Sequence, residues 1–446
     1  MARLVRENAF CASIALAACA VLGWLGLYGF AWTDYESEAQ PAVEALAHLH
    51  LLGFLRLAPV AYGGSLIERA PFALAPGLWG GGELAVYRMM AVPCLLALAA
   101  LGVYLVARMR ARRAGALARG VALALCVANP MTLRALELGH PEEILGACMV
   151  LAAVLAAARG RALWAGALLG LAIANKEWAL LALGPVLLAL EPGRRLRCAA
   201  LCGTIVAVLL APMALSGSSA FVSQGRAFAA AQGGVPFQPW QLWWFLGATN
   251  HVAALAPGAP VPLNASLSTH PHWRLAPSWL PALAHPLILA VGLGLALTLW
   301  LARRRGRPGG VLSEHEALLA LALVMLVRCL LDTWDVIYYL LPFVLALLSW
   351  EVLGEAERPP VLALSCTVLA WISFQWLPER ANADVQSAFF LAWTLPLLAA
   401  LARALYRPSA GREGAQAITV RSFPSGVSTS AALSVRTTRS SMRTPS

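Results

Sequence analysis

Apolar runs of roughly 15 to 25 residues, the length a helix needs to cross about 30 Å of hydrocarbon, recur from Ala9 to about position 405. Backbone amides and carbonyls facing lipid must pair among themselves, which leaves helices or a closed barrel. The in-out alternation of barrel strands is absent from this sequence. Composition agrees, with 60% hydrophobic and only 12% charged residues, where soluble domains carry about a quarter charged. The expected fold is an all-α polytopic membrane protein of about 12 transmembrane helices. They are drawn at 9–31, 84–106, 120–134, 143–158, 162–174, 177–190, 198–214, 284–302, 316–331, 337–353, 361–376 and 386–405. Two long outer loops, 32–83 and 215–283, interrupt this transmembrane domain of residues 1–405. The Ser/Thr/Arg-rich tail 406–446 has too few apolar residues to fold and is expected to be disordered.

The net charge of +11 would point to nucleic acid in a soluble protein, but the arginines sit in short loops between spans, where they set orientation. Arg108, Arg110, Arg112, Arg113 and Arg119, then Arg159 and Arg161, Arg194 to Arg197, and Arg303 to Arg307 all fall on one side. That side is the cytoplasm if the N-terminus is inside. A plasma-membrane protein with both termini cytoplasmic follows, and nucleic acid is excluded as a partner. The stretch from Ala9 follows Met-Ala-Arg-Leu-Val-Arg with no small-residue cleavage site before Trp32, so it reads as a signal anchor. Most acidic residues and tryptophans then lie at the outer ends of the spans, and function is expected there. The nine cysteines lie almost entirely in apolar runs with no C-x-x-C pair, as small core residues do. His270-Pro271-His272 is too little for a metal site.

Five motifs break the apolar pattern. Asp34-Tyr35-Glu36-Ser37-Glu38 opens the first outer loop, where a carboxylate suits a general base or a cation site. Beyond it, Pro41 suits a first helical turn, and Gln40, Glu44 and His48 share one face. Val43, Leu46, Phe54 and Leu57 are expected to face lipid. In the run Tyr62 to Phe72, Gly63 and Gly64 allow close backbone approach, and Ser65 and Arg69 suit a phosphate. The bland alternative there is a Glu68–Arg69 surface pair. Gly139-His140-Pro141-Glu142-Glu143 follows Arg134 and Glu137, and its carboxylates also suit a helix N-terminus. Asn175-Lys176-Glu177-Trp178 holds the one lysine of the chain inside an apolar stretch, where an ammonium needs a partner. Lastly, Arg328 and Asp332 are spaced as a helical ion pair, leaving Asp335, Tyr338 and Tyr339 to line a site.

Together these motifs resemble the GT-C superfamily of membrane glycosyltransferases, in the pattern of the actinobacterial glycosyltransferase family 87 and its DUF2029 relatives. Those relatives include polyprenyl-phosphate-mannose-dependent mannosyltransferases. The likeness is carried by T-D-Y-E at 33–36, Y-G-G-S at 62–65, G-H-P-E-E at 139–143, N-K-E-W at 175–178 and D-T-W-D at 332–335. It implies a GT-C-like fold and an inverting transfer of a sugar, mannose among the candidates, from a polyprenyl-phosphate donor to a lipid or glycan acceptor at the outer face. It implies Asp34 as catalytic base with Glu36 as the second choice. Tyr62, Gly63, Gly64, Ser65, Arg69, His140, Glu142, Lys176 and Asp335 are the implied substrate contacts. A divalent cation is compatible with the carboxylates, and no other cofactor is called for. The competing class is a multi-pass transporter or flippase. Such proteins often carry internal repeats, and no second copy of the first-loop motif is visible.

Overall fold

The computed structural model describes residues 2–28, 34–58, 62, 64–216, 238–249, 274–305, 308–354 and 358–407. Gly63, most of the second long loop and the tail from 408 onward lie outside the described residues. Met1–Tyr406 forms one compact unit. Among the described residues its regular structure is helical apart from a two-residue antiparallel ladder that pairs Ala248–Thr249 with Arg274–Leu275.

The helices are α1 (Ala2–Tyr28), α2 (Gln40–Ala47), α3 (Leu51–Leu57), α4 (Ser65–Glu68), α5 (Ala70–Leu74) and α6 (Glu83–Ala111). Next come α7 (Ala116–Val127), α8 (Pro130–Glu137), α9 (Pro141–Ala157), α10 (Ala162–Asn175), α11 (Leu183–Leu188) and α12 (Pro192–Leu215). After the second long loop follow α13 (Leu280–Arg303), α14 (Glu314–Leu331), α15 (Leu341–Gly354), α16 (Val361–Trp371) and α17 (Ala383–Tyr406).

Each stretch drawn from sequence is mostly helical among the described residues, with breaks at Ala128–Asn129 and after Leu188. Seven helices are long and apolar enough to cross a membrane: Ala9–Tyr28, Glu83–Ala111, Ala116–Glu137, Pro192–Leu215, Ala282–Arg303, Ile337–Gly354 and Ala383–Tyr406. The other five sequence spans are helical yet short or charged. Helix α10 has 14 residues, about 21 Å of rise, and α14 carries Glu314, Glu316 and Arg328. The chain is thus a multi-pass helical membrane protein, with seven full-length candidate spans among the described residues.

Local sequence sets the helix starts near the site. Pro130 opens α8 behind Asn129, whose side chain accepts from the Met131 amide. Pro141 opens α9 with Glu142 and Glu143 in its first turn, a position that stabilises carboxylates against the helix dipole. At Ser313 a capping box with Glu316 starts α14. Helices α9 and α10 pack as a hairpin, and α10 lies tightly on α12. A Cβ at Gly166 would sit 2.5 Å from the Cys198 carbonyl, and one at Gly170 would sit 2.9 Å from that of Cys202. Glycines four apart therefore let two helix backbones touch.

The first long loop corrects the sequence reading. Pro41 does lie in the first turn of α2, and Glu44 and His48 are exposed. The apolar face, however, packs inward, with Val43, Leu46 and Phe54 only 2%, 3% and 4% exposed. Leu49, Leu51, Leu52 and Leu57 are the exposed apolar residues of this segment. The helical period named the apolar face, and that face had the protein core beside it rather than lipid.

A buried ionic cluster as the candidate functional site

Four distant segments meet beside the start of α9. Gly139 makes the meeting possible: its φ is +90°, and a Cβ there would lie 2.9 Å from both the Cβ and the amide nitrogen of Tyr35. Only glycine accepts that backbone and that contact without strain. The five-residue π-turn Tyr35–Ala39 follows Asp34 directly. Tyr62 fixes the same corner by donating its hydroxyl to the Gly139 carbonyl at 3.0 Å.

His140 stands at the centre. Its Nε2 is 3.1 Å from Asp34 Oδ2, and its Nδ1 is 2.8 Å from Glu142 Oε1. The imidazole is stacked on Tyr62 at 5.4 Å between ring centroids and meets Tyr338 at 5.2 Å. Glu142, fully buried, also takes Lys176 Nζ at 3.2 Å and Arg69 Nη2 at 3.4 Å. Lys176 reaches Glu143 Oε1 at 3.6 Å, and Glu143 Oε2 accepts from the Trp178 indole at 2.8 Å. The Asn175 amide donates to the Glu142 carbonyl at 2.8 Å, tying the end of α10 to the start of α9. Three carboxylates (Asp34, Glu142, Glu143) thus face three cations (His140, Lys176, Arg69).

The charge states follow. Burial opposes the charge on His140, but hydrogen bonds to Asp34 and Glu142 outweigh it and raise the imidazole to about 9. Burial would likewise raise Glu142, yet Lys176, His140 and Arg69 pull it down to about 2. Lys176 is held above its ordinary value by Glu142 and Glu143 despite its burial. Beside the cluster, burial pushes the Glu68 carboxyl up to about 8 against the pull of Arg69.

The residues expected from sequence divide into three groups. Asp34, Arg69, His140, Glu142 and Lys176 come together, with Tyr62 against the His140 ring. Gly64 and Ser65 are close by, but their polar groups are committed. The Gly64 amide donates to the Ala174 carbonyl at 2.5 Å, and Ser65 Oγ accepts from Arg69 at 3.1 Å. Arg69 is buried and turned to Glu142, so the Glu68–Arg69 surface pair does not form. Glu36 is exposed and stands apart, and the Glu38 side chain and Gly63 lie outside the described residues. Asp335 is fully buried but outside this cluster, raised well above the usual carboxylate range by burial and then by Asp332. Among the described residues no group of three His, Cys, Asp or Glu side chains is arranged to hold a metal ion.

The Arg328–Asp332 pair is also absent among the described residues. Asp332 leaves the helix in extended conformation at the end of α14, where its carboxylate accepts from the Trp334 amide at 3.2 Å and faces His285 at 3.7 Å. Arg328 instead lies over the Tyr339 ring at 4.3 Å and the Trp178 ring at 5.2 Å. Glu143 and Trp178 stood inside the sequence motifs but were not among the expected substrate contacts. The signal for both was adjacency, to Glu142 and to the lysine motif.

No protein-family model matches the sequence, and comparison with curated proteins finds no match. The fold and site define a class by themselves: a multi-pass helical membrane protein enclosing a charge-balanced ionic cluster.

Proposed function

We propose that the protein is a membrane glycosyltransferase of the GT-C type, moving a sugar from a polyprenyl-phosphate donor to a lipid or glycan acceptor at the outer membrane face. The observation that carries this reading is the state of Asp34. One oxygen, Oδ2, is bound to His140, while Oδ1 takes no hydrogen bond among the described residues and the side chain is 40% exposed. A carboxylate so held is oriented and open on one side, as a general base must be.

In this reading Oδ1 of Asp34 takes the proton of the acceptor hydroxyl. The acceptor oxygen bonds to the anomeric carbon as the bond from that carbon to the phosphate oxygen breaks, and polyprenyl phosphate departs. The charge count supports the second half of the step. With three carboxylates and three cations the cluster is neutral, and protonating Asp34 gives it a net positive charge as the leaving phosphate becomes more negative. Developing charge met by a fixed opposite charge is the usual largest source of rate. Lys176 and Arg69 contribute through that balance, both being engaged with Glu142.

Sugar transfer from a polyprenyl-phosphate donor, assayed in membranes, tests the reading. Asp34→Asn should lower kcat by roughly 100-fold or more, and Glu36→Gln should leave it within about twofold. Full activity in Asp34→Asn removes the base. A wild type that transfers from no such donor favours the transporter class.

A further inference from the structure

We propose that His140 is a positioning residue, a buried imidazolium that holds Asp34 by one oxygen, and that loss of its proton releases Asp34 while Glu142 stays bound. The role in turnover rests on the transferase reading above; the clamp itself does not.

The argument begins with donors and acceptors. Both ring nitrogens of His140 lie within hydrogen-bond distance of a carboxylate oxygen. An ionised carboxylate only accepts, so both bonds need N–H on both nitrogens, which only the imidazolium has. Glu142 is not itself a donor, because it already faces Lys176 and Arg69. The groups around the ring are Asp34 from the segment before the π-turn, Glu142 from the first turn of α9 and Lys176 from the end of α10. The Tyr62 and Tyr338 rings both lie against the imidazole, and Arg69 and Glu143 stand behind Glu142 and Lys176. The Lys176 ammonium opposes the charge, and it is itself neutralised by two carboxylates.

A neutral imidazole has one N–H to offer two carboxylates, and the two are not equivalent. Glu142 is 0% exposed with the shorter bond of 2.8 Å, whereas Asp34 is 40% exposed at 3.1 Å. Water replaces the lost donor at Asp34 with little penalty, while the fully buried Glu142 would lose one of its three charged donors with no water to replace it. The proton therefore stays on Nδ1, facing Glu142, and Asp34 loses its anchor. Asp34 is then no longer aimed. Turnover falls while donor binding, which does not pass through Asp34, is kept.

The test pairs activity with stability, using the full chain in detergent or membranes. Wild-type kcat should fall above about pH 9, the value at which His140 loses its proton, with KM unchanged within about twofold. His140→Phe keeps the ring stack and removes both donors. It should lower kcat about 10- to 100-fold at neutral pH, the worth of one hydrogen bond to a charged group, and show no alkaline fall. His140→Gln, which offers Asp34 a donor that does not titrate, should recover part of that loss. The melting temperature of the wild type should drop as pH rises from about 6.5 to 9, and His140→Phe should show a smaller drop, keeping only the part that Glu68 causes below about pH 8. An alkaline fall as large in both variants as in wild type overturns the clamp. Should the variants not fold, 15N-histidine NMR of the wild type decides. A doubly protonated imidazole at pH 8 that disappears in Asp34→Asn supports the clamp, and eight neutral histidines overturn it. If the wild type transfers no sugar yet its alkaline instability depends on His140, the transferase reading falls and the clamp stands.

Discussion

Lys176 Nζ lies 3.2 Å from Glu142 and 3.6 Å from Glu143, so the single lysine of the chain is shared by two adjacent buried carboxylates. Removing one partner of a buried ion pair leaves an uncompensated charge and costs far more than the pair itself contributes. Lys176→Met is therefore expected to destabilise the protein by about 3–5 kcal/mol, measured by denaturant or thermal unfolding in detergent. Lys176→Arg, which keeps the charge, should lose clearly less. A Met variant within about 1 kcal/mol of wild type contradicts this.

The corner at Gly139 should be intolerant of any side chain. Gly139→Ala meets both a φ of +90° and atoms of Tyr35 at 2.9 Å, so a loss of about 1–3 kcal/mol is expected. Because the same contact seats Asp34 against His140, the Ala variant should also lower kcat. Unchanged stability in that variant would show that the loop can move away from Tyr35.

Two carboxylates beside each other should give opposite pH signatures. Glu142 is lowered from 4.5 to about 2 in the fold, so its contribution is fully present above about pH 4.5 and is lost as pH falls through about 2. Glu68 is raised to about 8, so the unfolded chain gives up that proton first and stability declines as pH rises from about 4.5 to 8. Glu68→Gln should remove that share of the decline and leave the share that His140 causes above about pH 6.5. Melting temperatures of wild type and variant, taken across this range, should converge at the acid end and separate by pH 8; parallel curves refute the assignment.

Arg328 should be coupled to an aromatic ring more than to a carboxylate. A double-mutant cycle between Arg328→Met and Tyr339→Leu is expected to give about 0.5–2 kcal/mol, the range for a desolvated cation over a ring. The matching cycle with Asp332→Asn should give less. The reverse order would restore the helical ion pair that the spacing suggests.

Much of the site was legible in the sequence because charged residues in an apolar chain announce themselves. Asp34, Arg69, His140, Glu142 and Lys176 are exceptions to their surroundings, and the cluster contains all five. What spacing did not reveal is pairing across segments. Arg328 and Asp332 sit four apart, but Asp332 falls at the C-cap, where the backbone has already turned away from the helix. The lipid-facing assignment of Val43, Leu46 and Phe54 failed for a related reason: periodicity identifies an apolar face without naming what covers it. Glu143 was absorbed by a sufficient local explanation, the dipole of α9, and its second partner comes from another helix. Helix positions were readable throughout, whereas the number of full crossings was not, since α9, α10 and α14 are apolar runs of intermediate length or charge.

The α9–α10 hairpin carries its own counter-ion. Glu142 and Glu143 open the first helix, Lys176 closes the second, and their antiparallel packing brings all three to one end. During synthesis the two carboxylates leave the ribosome first and stay uncompensated until the lysine follows. The pair of helices is thus most stable entering the bilayer as one unit. His140 belongs to the same hairpin end through Glu142, and the site is complete only where Asp34 of the first loop meets it.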